Sequence, residues 1–246
     1  MNPKVLVGCI TNKKYNYCLE RFLDGFKEIG YDNCDLVMVD YSNDDSYFEK
    51  IHKKRVAVIK VKPEDSEEKS MAKARNVLKE LTLRAYDYLL SVEQDIIPPK
   101  NAIPALLNQK RNIVSGVYFN PGSDGNVVPL AYTWLKQNEF EDIKANPMKY
   151  PDVALKIKQQ QVKSADQLRK QLSFEDVEAE RLMEIKYVGL GCILIKKDIL
   201  KKLAFKTLSS GKERPENVIF CDDVRKIGEK VWLYTGIKCK RILPKK

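Results

Sequence analysis

The chain of 246 residues is 43% hydrophobic and 32% charged, a soluble globular composition with length enough for a sizeable core. Its 44 basic and 34 acidic residues leave a net charge of +10, which favours anionic partners such as nucleotide phosphates or an acidic membrane surface. The basic residues are scattered rather than interleaved with aromatics, so a nucleic-acid face is not expected. No apolar run approaches a bilayer span and no leader precedes the first strand, so a cytoplasmic location is expected.

In chain order, Val5 to Ile10 is a continuous apolar run, the mark of a strand buried on both faces. A polar turn beginning at Thr11 leads to a helix over about 17–29, then to a strand at 35–39 that ends on Asp40. A short helix to about 53 and a third strand at 55–61 complete a strand–helix alternation, which predicts a parallel sheet with right-handed crossovers. Ser70 is placed to cap a helix running to about 85, with Arg75 and Asn76 beside its apolar stripe. The fourth strand follows and stops at Glu93-Gln94-Asp95. A helix at 101–109, a strand at 112–119, a turn over Pro121-Gly122-Ser123-Asp124-Gly125 and an antiparallel strand at 127–135 come next. Residues 136–180 are polar, with a helical piece expected at 164–172, and read as a peripheral insertion. Strand-like segments at 183–188 and 191–195 flank Gly189-Leu190-Gly191. Asp222-Asp223 precedes an expected helix at 224–228, a last strand covers 230–234, and a basic tail starts at Lys238. The six cysteines form no C-x-x-C pair and no metal spacing, and are expected as reduced thiols.

Alternate side chains of a strand point the same way, so Glu93 and Asp95 aim at one place. Two carboxylates so placed repel unless a cation or donors lie between them. Hard oxygen ligands suit Mg²⁺ or Mn²⁺, commonly shared with substrate phosphates. In open α/β sheets ligands bind outside the carboxyl ends of the strands, where Thr11, Asp40, Glu93 and Asp95 all fall.

The order of these features resembles the nucleotide-sugar-dependent glycosyltransferases of the GT-A fold, especially inverting family 2 and its relatives. The resemblance rests on Thr11, Asp40, Ala74-Arg75-Asn76, Glu93-x-Asp95 in place of D-x-D, Gly189-Leu190-Gly191 with the strand after it, and Asp222-Asp223-Val224. It implies an α/β GT-A-like fold: a mostly parallel central sheet flanked by helices, with a small antiparallel acceptor-side part. One domain would span 1–246, with a nucleotide-binding half at 1–119 and an acceptor half at 120–246. It also implies transfer of a sugar from a nucleoside diphosphate sugar to a hydroxyl of a glycan, lipid-linked or protein acceptor, with inversion.

By that resemblance Thr11 and Asp40 hold the nucleoside, Arg75 meets the diphosphate, Asp95 holds Mn²⁺ or Mg²⁺, and Glu93 faces the sugar or ribose or joins Asp95 at the cation. Asp223, with Asp222, is the general base. Gly189 and Gly191 let the backbone approach the sugar or acceptor, and Trp134 is an acceptor-side aromatic. Relatives often carry a histidine after the last strand; here Cys239-Lys240-Arg241 stands in its place, and Lys240 or Arg241 would neutralise phosphate charge directly. Two other readings share the pattern: a nucleotidyltransferase, against which the glycine-free Thr11-Asn12-Lys13-Lys14 counts, and a catalytically silent nucleotide-sugar-binding protein. The basic tail also suits peripheral membrane association with a lipid-linked acceptor. The oligomeric state is not encoded in any visible pattern.

Overall fold

The computed structural model describes residues 2–121, 126–148, 151–159, 161–207 and 214–244, so most of the turn expected at 121–125 lies outside the described residues. Strand β1 (Val5–Thr11) is buried along its whole length. A 3₁₀ turn at Lys13–Cys18 precedes α1 (Leu19–Lys27), followed by β2 (Cys34–Asp40), α2 (Ser46–Lys53) and β3 (Ala57–Lys60). Helix α3 (Glu67–Ala85) starts four residues earlier than Ser70 predicts, because the Ser66 hydroxyl accepts from the Lys69 amide and caps it. Ser70 lies inside the helix, where its hydroxyl donates back to the Ser66 carbonyl.

Strands β4 (Tyr88–Glu93) and β5 (Ile96–Ile97) lead to α4 (Ala102–Asn108) and β6 (Ile113–Val117). Then come β7 (Phe119–Pro121), β8 (Val127–Pro129), β9 (Ala131–Trp134), α5 (Gln137–Ala145), α6 (Pro151–Lys158) and β10 (Arg169–Gln171). The chain continues through α7 (Phe174–Glu178), β11 (Leu182–Glu184), β12 (Tyr187–Val188), β13 (Cys192–Lys196) and α8 (Lys197–Leu200). It closes with α9 (Glu216–Lys226), β14 (Trp232–Lys238) and β15 (Lys240–Arg241).

The central sheet runs in the order β11-β14-β6-β13-β4-β1-β2-β3. Strands β3, β2, β1 and β4 are mutually parallel, as the alternation predicts, and β14 runs parallel to β6. Strand β13 lies antiparallel between β4 and β6. Alternation along β1 builds a core on each face. Leu6 and Ile10 join the cluster that holds Leu78 of α3, while Val5, Val7 and Cys9 join Leu19, Phe22 and Ile103 of α1 and α4. Truncating a fully buried side chain such as Leu78 costs roughly 2–5 kcal/mol.

Two expectations are corrected here. The segment 164–172 is not a helix: a 3₁₀ turn at Ala165–Gln167 gives way to β10, which pairs antiparallel with β9. Asp222 and Asp223 do not precede a helix but sit within α9, which begins at Glu216 directly after Pro215. Proline fixes φ near helical values and lacks the N–H that a first turn leaves unused, so it starts a helix readily. The helix ends at Lys226, and Gly228 beyond it takes a φ of 77°, a left-handed value that glycine adopts without strain. All six cysteines are free, and among the described residues no helix is long and apolar enough to cross a membrane.

Candidate active site

Thr11 and Asp40 are register partners at the ends of β1 and β2, and Ile10 pairs with Glu93 at the end of β4. The fold therefore brings three of the predicted strand ends together. Two of them are committed to internal networks. The Thr11 hydroxyl donates to Gln94 Oε1, which also accepts from the Tyr47 hydroxyl at 2.8 Å, while Gln94 Nε2 donates to the Tyr15 carbonyl at 2.8 Å. Asp40 is fully buried; its Oδ1 accepts from the Ser42 amide at 2.9 Å and hydroxyl at 2.5 Å, and its Oδ2 from Lys60 Nζ at 3.0 Å. Gln94, the middle residue of the acidic motif, is thus the internal anchor of the strand ends.

Beside these strand ends opens a cleft of about 380 Å³, lined by Arg75 from α3, Glu93, Tyr118, Asn120, Leu130, Tyr132, Arg169, Gly189, the Pro215–Val218 segment and Arg241. At its floor Arg75, 1% exposed, donates to Glu93 Oε1 at 3.0 Å and to Glu216 Oε2. Two carboxylates thus share one guanidinium. Arg75 is held charged by Glu216 and Glu93 against the lowering effect of burial. Burial pushes the Glu216 carboxyl up, against the pull of Arg75, and the charge of Glu93 adds to the rise. Glu216 Oε1 is buried with no hydrogen-bond partner among the described residues. Arg75 thus orients the two carboxylates, while its Nε is buried without a hydrogen-bond partner among the described residues; the resemblance implied that it meets the diphosphate.

Asp95 faces Arg241. Its Oδ2 accepts from Arg241 Nε at 3.0 Å and lies 2.9 Å from NH2, while Oδ1 is buried and unpartnered. Burial raises the Asp95 carboxyl and Arg241 opposes the rise. The expectation that Asp95 and Glu93 hold Mn²⁺ or Mg²⁺ meets a donor set that does not fit. One Asp95 oxygen and one Glu93 oxygen already face guanidinium groups. Among the described residues no three of His, Cys, Asp and Glu gather to hold a metal ion. Lys240, the alternative cation of the tail, is exposed and points away, because side chains alternate along β15.

Gly189 and Gly191 pass over the Tyr118 ring. A Cβ on Gly189 would overlap the Tyr118 hydroxyl, and one on Gly191 would lie 2.9 Å from its ring and 3.2 Å from Glu93 Oε2. The Gly191 amide donates to the Tyr118 hydroxyl at 3.1 Å. These glycines keep the backbone against the Tyr118 ring, and Gly189 lines the cleft. Trp134 does not line the cleft; Tyr132, two residues earlier on the same strand face, does, with the Arg169 guanidinium 4.8 Å from its ring centroid.

Asp222 and Asp223 do not line the cleft either. Asp222 is bound by Arg214, Arg225 and the Tyr187 hydroxyl, the last at 3.1 Å. Asp223 is bound by Lys206 at 2.7 Å and Lys226 at 2.8 Å. Burial works upward on both, but these hydrogen bonds outweigh it and leave both carboxyls below the ordinary aspartate value. A carboxylate so lowered is a weak proton acceptor. Asp223 also lies about two turns, roughly 10 Å, along α9 from Glu216.

Sequence reading missed Glu216, Tyr118, Tyr132 and Arg169. The signal for Glu216 was Pro215, which marks it as the first residue of a helix. Arg169 gave none, because its strand looks polar and short.

By sequence, no family model and no curated protein matches the chain. By structure it is similar to GalNAc-T7, in a crystal structure with UDP, GalNAc and Mn²⁺, at 12% identity and a TM-score of 0.64, over 98% of this chain and 44% of that one. It is also similar to A197 from STIV at 13% identity and a TM-score of 0.48, over 98% of this chain and 86% of that one. The chain thus spans less than half the length of GalNAc-T7. The likeness to GalNAc-T7 gives the fold, an α/β GT-A-like architecture with a large, mainly parallel sheet flanked by helices.

Proposed function

We propose that the protein is a glycosyltransferase that moves a sugar from a nucleoside diphosphate sugar to a hydroxyl acceptor. The observation that carries this reading is the cleft outside the carboxyl ends of the parallel strands, where Arg75 holds Glu93 and Glu216 side by side. Ligands of open α/β sheets bind at such a place. The likeness in fold to GalNAc-T7, crystallised with UDP, GalNAc and Mn²⁺, supports the same class of donor.

In this reading Thr11 and Asp40 shape the nucleoside end through their buried networks, and the sugar lies over Gly189 against Glu93. Glu216 takes the general-base role that the sequence assigned to Asp223. Its unpartnered Oε1 accepts the proton of the acceptor hydroxyl while the new bond forms at the anomeric carbon and the nucleoside diphosphate departs with the electrons of the broken bond. Arg75 keeps Glu216 and Glu93 in place and is a positioning residue. Tyr132 and Arg169 form the wall on which the acceptor sits. The Mn²⁺ or Mg²⁺ that the resemblance implies meets no fitting donor set at Asp95 and Glu93 and has no role in this reading. No step here is routed through it, since Asp95 is held by Arg241.

The test is a panel of nucleoside diphosphate sugars screened for thermal stabilisation, because a ligand that binds only the folded chain raises its melting temperature. Release of nucleoside diphosphate is then followed for the stabilising donor, and the anomeric configuration of the product is read by NMR to decide between inversion and retention. A panel in which no donor stabilises the chain or is consumed contradicts the reading.

A further inference from the structure

Strand β15 is fastened beside Asp95 by backbone bonds. Arg241 pairs with Ile96 and Lys240 with Ile97, and the Ile242 amide donates to the Asp95 carbonyl at 2.8 Å. This fixes which tail residue meets the acidic motif. The Arg241 side chain, 23% exposed, turns onto Asp95 and into the cleft, and its NH1 donates to Asn120 Oδ1. A guanidinium carries five N–H groups. Asp95 and Asn120 engage three of them, which leaves two for a ligand in the cleft among the described residues.

On the reading that the donor is a nucleoside diphosphate sugar, we propose that Arg241 supplies the positive charge at the diphosphate in place of a divalent cation, and that Asp95 positions Arg241 rather than a metal. The planar fork of arginine matches phosphate oxygens, and its charge does not titrate away. Asp95 Oδ2 orients the fork through Nε and NH2, so the two remaining N–H groups are aimed in advance. A cation at Asp95 would sit against this guanidinium, and the two positive charges would repel in a poorly solvated place. Both Arg241 and the metal ligand set that the acidic motif suggests thus draw on the same carboxylate, and the structure gives its Oδ2 to arginine, with Oδ1 buried and unpartnered among the described residues.

The experiment is isothermal titration of the whole chain with UDP, GDP, ADP and CDP, each in buffer with EDTA and in buffer with MnCl₂. The nucleoside diphosphate that binds is expected to do so with the same affinity in both buffers. Free Mn²⁺, followed by its EPR signal, is expected to fall no further when the protein is added with that nucleotide than when the nucleotide is added alone. Arg241→Ala is expected to weaken binding about 10- to 100-fold, the loss of one or two charge-assisted contacts. Lys238→Ala, which removes the same charge from an exposed place hydrogen-bonded to the Glu178 carbonyl, leaves it unchanged. Binding only in MnCl₂, or a loss of the EPR signal beyond that caused by the nucleotide alone, overturns the role of Arg241 and leaves the donor reading standing. Absence of binding by all four nucleotides in both buffers overturns both. The comparison of buffers uses the unaltered chain and holds even where Arg241→Ala fails to fold.

Discussion

Glu93 and Asp95, at the end of β4, draw their cations from far along the chain, from Arg75 and Arg241, whereas Asp222 and Asp223 are each met by a neighbour one turn on in α9, Arg225 and Lys226. Both pairs look alike in the sequence. Their surroundings differ: the strand-end pair shares its guanidinium groups with the cleft and with Glu216, while three of the four cations on the helix pair, Lys206, Arg214 and Lys226, reach well into water. The lesson is that an acidic pair serves a ligand when its partners are incompletely used and buried. The helix pair, met by Arg225 and Lys226 from its own helix and by Arg214 and Lys206 from outside it, ties α9 to its surroundings.

The largest effect that would separate the two regions is on rate. Glu216→Gln removes the proposed proton acceptor and is expected to lower kcat by about 10²–10⁴-fold, measured as turnover of the donor found in the screen. Equal turnover by this variant and the unaltered chain would return the base to another carboxylate. Next in size is Arg75→Ala, which leaves Glu93 and Glu216 facing each other at a buried position. Breaking a buried pair costs about 3–5 kcal/mol, so the melting temperature is expected to fall by roughly 6–20 °C. A change under a few degrees would mean that the two carboxylates find other partners.

Gly189→Ala sharpens the comparison at the cleft wall. The added methyl overlaps the Tyr118 hydroxyl, so either Tyr118 or the backbone must shift, at about 1–3 kcal/mol by denaturant unfolding, with weaker donor binding by titration. The smallest effect belongs to the helix pair. Asp223→Asn loses ion pairs to two largely exposed lysines and is expected to cost at most about 1 kcal/mol, with turnover unchanged.

The two regions also respond oppositely to pH. The folded Glu216 carboxyl lies above the ordinary glutamate value of 4.5, so the folded chain holds this proton more tightly than the unfolded one. The stability it contributes is present below 4.5 and is lost as pH rises through the folded value. Glu216→Gln has no such loss, so its stability deficit against the unaltered chain narrows as pH rises above 4.5. Asp222 and Asp223 lie below the ordinary aspartate value of 3.8; their contribution is present above 3.8 and is lost as pH falls. Urea unfolding of the variants across this range reads both signs.

Much of the first half was legible because local pattern and burial agree there. The apolar run of β1 is buried on both faces, and β2 and β4 end where Asp40 and Glu93 were expected. That agreement extends to the parallel pairing of β3, β2, β1 and β4, since alternating strands and helices allow few connections. The second half resisted for physical reasons. Strand β10, with Arg169 and Lys170, shows no apolar alternation because its stability comes from pairing with β9 and from the Tyr132 ring rather than from its own side chains. Helix α9 is buried almost all round, so Val218 to Val224 shows no amphipathic stripe, and the expected helix begins only after the aspartates. The Arg75–Glu216 contact joins residues 141 apart, and no local pattern announces it. The tail was half legible: a cation in place of a histidine was visible, but the choice of Arg241 over Lys240 depends on the β5–β15 register.

The most direct test of the central claim is the pH dependence of kcat/KM for donor turnover in the unaltered chain, Glu216→Gln and Asp223→Asn. The account predicts an acid limb above pH 4.5 that is shared by the unaltered chain and Asp223→Asn and is absent from the residual activity of Glu216→Gln. An acid limb that persists in Glu216→Gln and disappears in Asp223→Asn would contradict it.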